Sequence, residues 1–211
     1  MKHSLILLFI FISCCIEMKG QLKNKIAGVY SLEGVMETAS GFKLNEDSTF
    51  EFYYSYGALD RYGSGKWSIK NDSIVLNSKP FPGKDFKITD SVLMKNNSTT
   101  IKIKNQNTAL YRFVYCFFKT PRGDTLLNAD RNGIIILPNK TDTINLLFEL
   151  SAERVSAFLI DNSKYNSYTF SFEPWAVEVF FKRFALLYSH DHLEGRHPLL
   201  EDKKYIYTKT E

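Results

Sequence analysis

The sequence predicts an all-β protein: a small antiparallel meander or barrel-like N-terminal module followed by a β-sandwich, both after a cleaved signal peptide. Three observations lead there. Aromatic residues make up 15% of the chain, with 17 Phe and 12 Tyr, and such side chains suit a half-buried pleated surface better than a helix. Apolar and polar residues alternate with period two in several stretches, and turn residues separate these stretches. The first sixteen residues are different in kind: basic Lys2 and His3 precede an uncharged run from Ser4 to Ile16.

A basic start followed by roughly 7–15 apolar residues is an export signal, whereas a bilayer-spanning helix needs about 20. Residues 1–20 are therefore expected to be removed, at one of two sites. Phe11-Ile12-Ser13-Cys14 resembles a bacterial lipobox, in which the cysteine is acylated and becomes the new N-terminus. Cys14 is the lipidation candidate, and a shift of one residue makes it Cys15. The other site is after Gly20, leaving Gln21 first. The first cut implies a lipoprotein of the outer membrane or facing the periplasm, the second a secreted or periplasmic protein.

The mature part, about 190 residues long, is large enough for one sizeable β-domain or two small ones. Either cut lowers the formal net charge of +4 by one. That mild balance, without a basic stripe, speaks against a nucleic-acid partner. Outside the leader the single cysteine is Cys116, within Phe113-Val114-Tyr115-Cys116-Phe117-Phe118. No internal disulfide can form unless Cys15 is kept, and Cys116 reads as a small buried apolar residue.

The first strand falls within Gly28–Gly34. Phe50, Phe52 and Tyr54 then alternate with Glu51, Tyr53 and Ser55, the pattern of a half-buried strand. Gly57, Gly63 and Gly65 punctuate the next stretch, in which Trp67 and Ile69 alternate with Lys66, Ser68 and Lys70. Asn71-Asp72 supplies a tight turn into Ile74-Val75-Leu76. The succession Gly28-Val29-Tyr30, Phe42 to Phe50, Gly63-Ser64-Gly65-Lys66-Trp67 and Asp72 to Leu76 resembles the N-terminal barrel of copper-homeostasis lipoproteins and lipocalin-like domains. The likeness spans 24–79. The Cys-x-x-Cys pair of the copper-linked members is absent, so the resemblance implies no metal sensing. Four strands are also too few to enclose a ligand cavity.

Pro80-Phe81-Pro82-Gly83 is a strong breaker and marks the expected boundary, with a second module over 86–211. There Thr100 to Lys104 and Ala109 to Lys119 read as strands, the second apolar on both faces and hence central. Turns are expected at Pro121–Asp124 and Asp130–Gly133, with strands at Ile134 to Leu137 and Thr143 to Leu150. The run from Gly123 through Asp130 and Asn132 to Pro138 weakly resembles the carboxypeptidase regulatory-like, transthyretin-type β-sandwich. That family implies a structural or adhesive role with no catalytic residues to transfer. From Trp175 to Tyr188 the spacing fits both a helix and a strand, with composition favouring strand. Tyr205-Ile206-Tyr207 is a last strand at a sheet edge.

Candidate chemistry is sparse. His190, His192, Glu194 and His197 are the candidate metal ligands, since His-x-His on a strand places two imidazoles on one face. An exposed loop with solvated histidines is the plainer reading of the same residues. No phosphate-binding glycine loop is present in the sequence, and no nucleophile elbow accompanies Ser151 or Ser189. No catalytic residue, cofactor or enzyme activity is expected. The expected function is that of a non-catalytic, extracytoplasmic interaction or structural module with an envelope protein or glycan as partner, touching membrane only through its lipid. One alternative is a carrier of a small apolar ligand, with Phe52, Tyr54, Tyr56, Tyr62 and Trp67 as contact aromatics in a completed barrel. The other is a metal-binding protein or hydrolase using the C-terminal histidines.

Overall fold

The computed structural model describes residues 22–57, 59–120 and 123–210. The expected signal peptide, with Cys14 and Cys15, lies outside the described residues. The fold is all-β, as the composition and periodicity predict, and separates into two compact units, the second comprising Phe81–Val177.

The first unit is a closed antiparallel barrel of eight strands. Five come from the N-terminal part: β1 (Gly28–Leu32), β2 (Thr38–Leu44), β3 (Thr49–Tyr56), β4 (Leu59–Lys70) and β5 (Ser73–Asn77). Within β3, Phe50, Phe52 and Tyr54 point into the core while Glu51 and Tyr53 face out, as the alternation requires. The β2–β3 reversal rests on Asp47, whose carboxylate accepts the N–H (2.9 Å) and hydroxyl (2.6 Å) of Thr49. Those bonds hold the Asp47 carboxyl below its ordinary pKa. Asn71, at φ 53°, forms the β4–β5 turn.

The remaining three barrel strands come from the far end of the chain: β14 (Phe184–Ser189), β15 (His192–Gly195) and β16 (Tyr205–Lys209). Strand β14 pairs with β5, and β16 pairs with β1, which closes the cylinder. This differs from two consecutive modules divided near residue 80. The last three strands, expected in a module over 86–211, belong to the barrel, and Tyr205-Ile206-Tyr207 is an internal staff rather than an edge strand. Closure satisfies every strand edge, and partners so far apart in sequence leave no local signal.

The second unit is a sandwich of two four-stranded sheets. One has the order β10 (Ile134–Leu137), β7 (Thr99–Lys104), β13 (Ser167–Phe172), β6 (Phe86–Val92). The other runs β12 (Val155–Leu159), β11 (Thr143–Phe148), β8 (Val114–Thr120), β9 (Gly123–Asn128). Phe86, Ile101, Ile103, Ile135 and Phe170 of the first sheet share one core with Cys116, Ile144, Leu146, Phe148 and Phe158 of the second. Burial pushes the Cys116 thiol up to about 11, which suits an inert packing residue.

Two expected elements are corrected. Ala109 to Phe113 is not strand: Thr108–Phe113 forms a 3-10 helix, capped by Asn107, whose side chain accepts the Ala109 N–H. Strand β8 begins only at Val114 and is central, as its two apolar faces predict. Between Trp175 and Tyr188 the chain is neither one strand nor one helix. A turn at 174–177 leads to an isolated bridge from Glu178 to Tyr62, then to the start of β14 at Phe184.

Candidate functional site

The barrel interior is filled by aromatic side chains. Phe181, on the segment that re-enters the barrel, makes ring contacts with Phe42, Phe50, Phe52 and Phe184, with centroids 5.2–6.0 Å apart. Trp67 is buried beside them, and its indole N–H donates to the Asn45 carbonyl at 2.8 Å. Of the five proposed contact aromatics, Phe52, Tyr54 and Trp67 belong to this packed core, while Tyr56 and Tyr62 are exposed. The structure therefore does not bring the five together around one space.

The four proposed metal ligands are likewise dispersed. His192, the first residue of β15, lies 3.3 Å from Asp191 of the preceding surface turn. His190 occupies that same turn at φ 54°, and Glu194 pairs with Lys204. His197 is buried, between Phe52, Tyr54, Tyr205 and Tyr207. Among the described residues, no three His, Cys, Asp or Glu side chains converge as a metal-binding group.

His197 holds the loop between β15 and β16 in place. The Leu199 N–H donates to Nδ1 at 3.0 Å, so Nε2 carries the proton and donates to Ser40 Oγ at 3.0 Å. The Ser40 hydroxyl in turn donates to the Tyr53 carbonyl at 2.7 Å. Burial lowers the His197 pKa to about 4, so the ring is a neutral structural link at pH 7. At the opposite end of the barrel, the Tyr30 hydroxyl donates to the carbonyl of buried Ile26 at 2.6 Å.

In the sandwich, Asp85 and Arg154 form a buried ion pair, Nε to Oδ2 3.0 Å. The guanidinium also donates to the Ala176 carbonyl at 2.8 Å, and the Asp85 backbone accepts from Glu173 N–H and donates to Ser156 Oγ. The pair thus ties the segment entering this unit to the segment leaving it. Burial raises the Asp85 pKa, and Arg154 acts against that shift. Asp85 Oδ1 is buried and has no hydrogen-bond partner among the described residues. These residues are 69 apart, and nothing in the sequence marks them as a pair.

The outer sheet faces differ in chemistry. On the β12-β11-β8-β9 sheet, registers place Ala157, Asn145, Phe117 and Leu126 in one row and Val155, Leu147, Tyr115 and Asn128 in the next. Leu126 is 53% exposed, Val155 46% and Leu159 90%. On the other sheet the outward positions include Lys87, Lys102, Lys104, Thr169 and Ser171, with Ile134 and Ile136 at one edge. One face is solvated and the other is largely apolar. Sequence reading missed this because β6, β9, β12 and β13 were not recognised. The signal available for β12 was Val155-Ser156-Ala157-Phe158-Leu159, a run in which Ser156 is the single polar residue.

No known family matches the sequence, and no curated protein does. Among solved structures, the chain aligns at 10% identity with one described as "Crystal Structure of Helicobacter pylori beta clamp bound to DNA ligase peptide", with a TM-score of 0.14. The alignment covers 88% of this chain and 58% of that one.

Proposed function

We propose that this protein is a non-catalytic module of the bacterial cell envelope, exported and tethered through a lipid on Cys14, that binds a protein partner through its sandwich. The observation that carries the binding role is the apolar outer face built by Tyr115, Phe117, Leu126, Leu147, Val155, Ala157 and Leu159. A contiguous apolar sheet face is costly to leave in water and marks an interaction surface. A glycan partner fits less well, because such a face offers few hydrogen-bond donors or acceptors.

The closed eight-stranded barrel supports the lipocalin-like reading of the first unit, and the two packed sheets support a transthyretin-type reading of the second. Packing of Phe42, Phe52, Phe181 and Tyr207 inside the barrel favours a structural role for it over carriage of a ligand. The tether rests on the lipobox-like Phe11-Ile12-Ser13-Cys14.

Affinity purification from the native host tests the binding role. The chain should recover one protein in stoichiometric amount, and a Leu126→Lys, Leu159→Lys double variant should lose it while remaining folded. Equal recovery with both chains contradicts the proposal. Mass spectrometry of the membrane fraction tests the tether: diacylated Cys14 at the N-terminus is expected, and an unacylated chain beginning at Gln21 contradicts it.

A further inference from the structure

We infer that the cavity beneath the β10–β11 connection binds a neutral saccharide, taking one or two sugar rings of a glycan. This site borders the apolar outer face at Phe117 and does not depend on the role proposed for that face.

The connection, residues 138–142, carries the chain from one sheet of the sandwich to the other. It covers a cavity of about 550 Å³, within the roughly 300–1,000 Å³ of pockets that enclose small ligands. The apolar wall is formed by Phe117, Phe118, Leu137 and Pro138. Leu137 is buried in the shared core and Phe118 packs against it, so the fold fixes this wall.

Threonines hold the connection in shape. The Thr99 hydroxyl donates to the Asn139 carbonyl at 3.1 Å and accepts the Thr141 N–H at 3.2 Å. The Thr141 hydroxyl donates to the Thr143 carbonyl at 2.9 Å and accepts the Thr143 N–H at 3.2 Å. Ile160 N–H donates to the Asp142 carbonyl at 2.9 Å. A loop shaped in this way before binding needs little ordering when a ligand arrives.

The other polar side chains of the lining keep hydrogen-bonding capacity in reserve. Among the described residues, the Asn139 amide and the Lys140 ammonium have no partner. Asp142 accepts one long bond, from the Thr143 hydroxyl at 3.4 Å, and Asn145 donates one, to the Phe117 carbonyl at 3.4 Å. The second Asp142 oxygen and the Asn145 amide oxygen stay open to a ligand.

This chemistry selects the occupant. Lys140 and Asp142 carry opposite charges on one short connection, so the cavity favours neither an anion nor a cation. A purely apolar ligand would desolvate the amides and charges of the rim without giving them partners. A peptide strand needs an open ladder edge, yet β8 and β11 are interior strands, and β10 ends here before Pro138, which has no N–H. A sugar ring meets the remaining requirements. Its C–H groups can lie against the phenylalanine rings, and its hydroxyls both donate and accept, as the Asn139 and Asn145 amides do.

An array of neutral oligosaccharides, with uronic-acid and sulfated oligosaccharides alongside, probed with the purified chain, tests this. Retention on neutral saccharides is expected, with no gain from acidic groups. For the best-bound saccharide, an Asn139→Ala, Asp142→Ala double variant should weaken binding at least tenfold by calorimetry without lowering the melting temperature, since both residues are exposed. Amide shifts of the unaltered chain on adding that saccharide should centre on Phe117, Asn139 and Asn145, a measurement that decides even if the variant unfolds. The Leu126→Lys, Leu159→Lys chain should bind the saccharide as the parent does, so the cavity and the outer face can fail separately. No retention, tighter binding to acidic saccharides, undiminished binding by the Asn139, Asp142 variant, or shifts centred elsewhere overturns the inference. Loss of saccharide binding in the outer-face variant also overturns it, by placing the saccharide on that face.

Discussion

The ring of Phe181 lies directly against Gly63: a Cβ at Gly63 would stand 2.7 Å from the ring and 2.7 Å from the Val179 carbonyl oxygen. Glycine at 63 is therefore required by the segment that re-enters the barrel, and Phe181 fills the space so made. Gly63→Ala should cost about 1–3 kcal/mol through overpacking, and Phe181→Ala about 3–5 kcal/mol through the cavity it leaves. In the double variant the cost of the alanine should shrink but persist, since the backbone oxygen of Val179 remains. Urea denaturation measures all three; an alanine at 63 within about 0.5 kcal/mol of the parent, the ordinary range for surface changes, would refute the contact.

The Ser78 N–H donates to the Phe181 carbonyl at 2.8 Å, and the Phe181 N–H donates to the Ser78 hydroxyl oxygen at 3.2 Å. Lys79 and Glu178 form an ion pair at 3.0 Å. The barrel chain thus departs and returns at adjacent points. Replacing residues 81–177 by a short Gly/Ser linker should leave a cooperatively unfolding β-barrel by circular dichroism. Deleting 184–211, which removes three of the eight strands, should abolish folding. The reverse pair of results would show that the C-terminal strands do not complete the barrel.

Arg154 is the cation facing the buried Asp85 carboxylate. Arg154→Met should destabilise by about 3–5 kcal/mol, because it leaves a buried charge without its partner, and a further Asp85→Asn change should restore much of the loss. Thermal unfolding of the single and double variants checks this. Additive losses would show that the pair is not coupled.

His197 makes stability depend on pH. Its pKa falls from 6.5 to about 4 in the folded state, so above about pH 6.5 the ring is neutral in both folded and unfolded chains. Between these values the unfolded chain binds the proton and the folded chain does not. Stability should therefore decline as pH drops from 6.5 to 4, by about 3 kcal/mol from this residue. His197→Gln should flatten that part of the profile; an unchanged slope would mean that the ring is accessible to protons when folded.

Local chemistry made much of the fold legible. Phe50, Phe52 and Tyr54 have a polar neighbour on most sides, so period two declares their common face, and Asp47 and Asn71 declare their turns. Long-range pairing was not legible. Nothing near Tyr205-Ile206-Tyr207 says that β1, more than 170 residues earlier, is its partner. The stretch from Trp175 to Tyr188 misleads because Phe181 is driven into the barrel by a segment outside regular pairing, a placement that depends on Gly63. The histidines read as one exposed cluster, yet a single tight turn at His190 and Asp191 leaves two outside, while His197 enters the core through Ser40.

Site-specific photo-crosslinking in the native host tests the central claim most directly, that the apolar sandwich face is the binding surface. With the reactive group placed in turn at Leu126, Leu159, Lys102 and Tyr62, one discrete adduct of a single partner should form from Leu126 and Leu159 and not from Lys102 or Tyr62. Adducts from Lys102 or Tyr62 alone, or none from the apolar face, would contradict it.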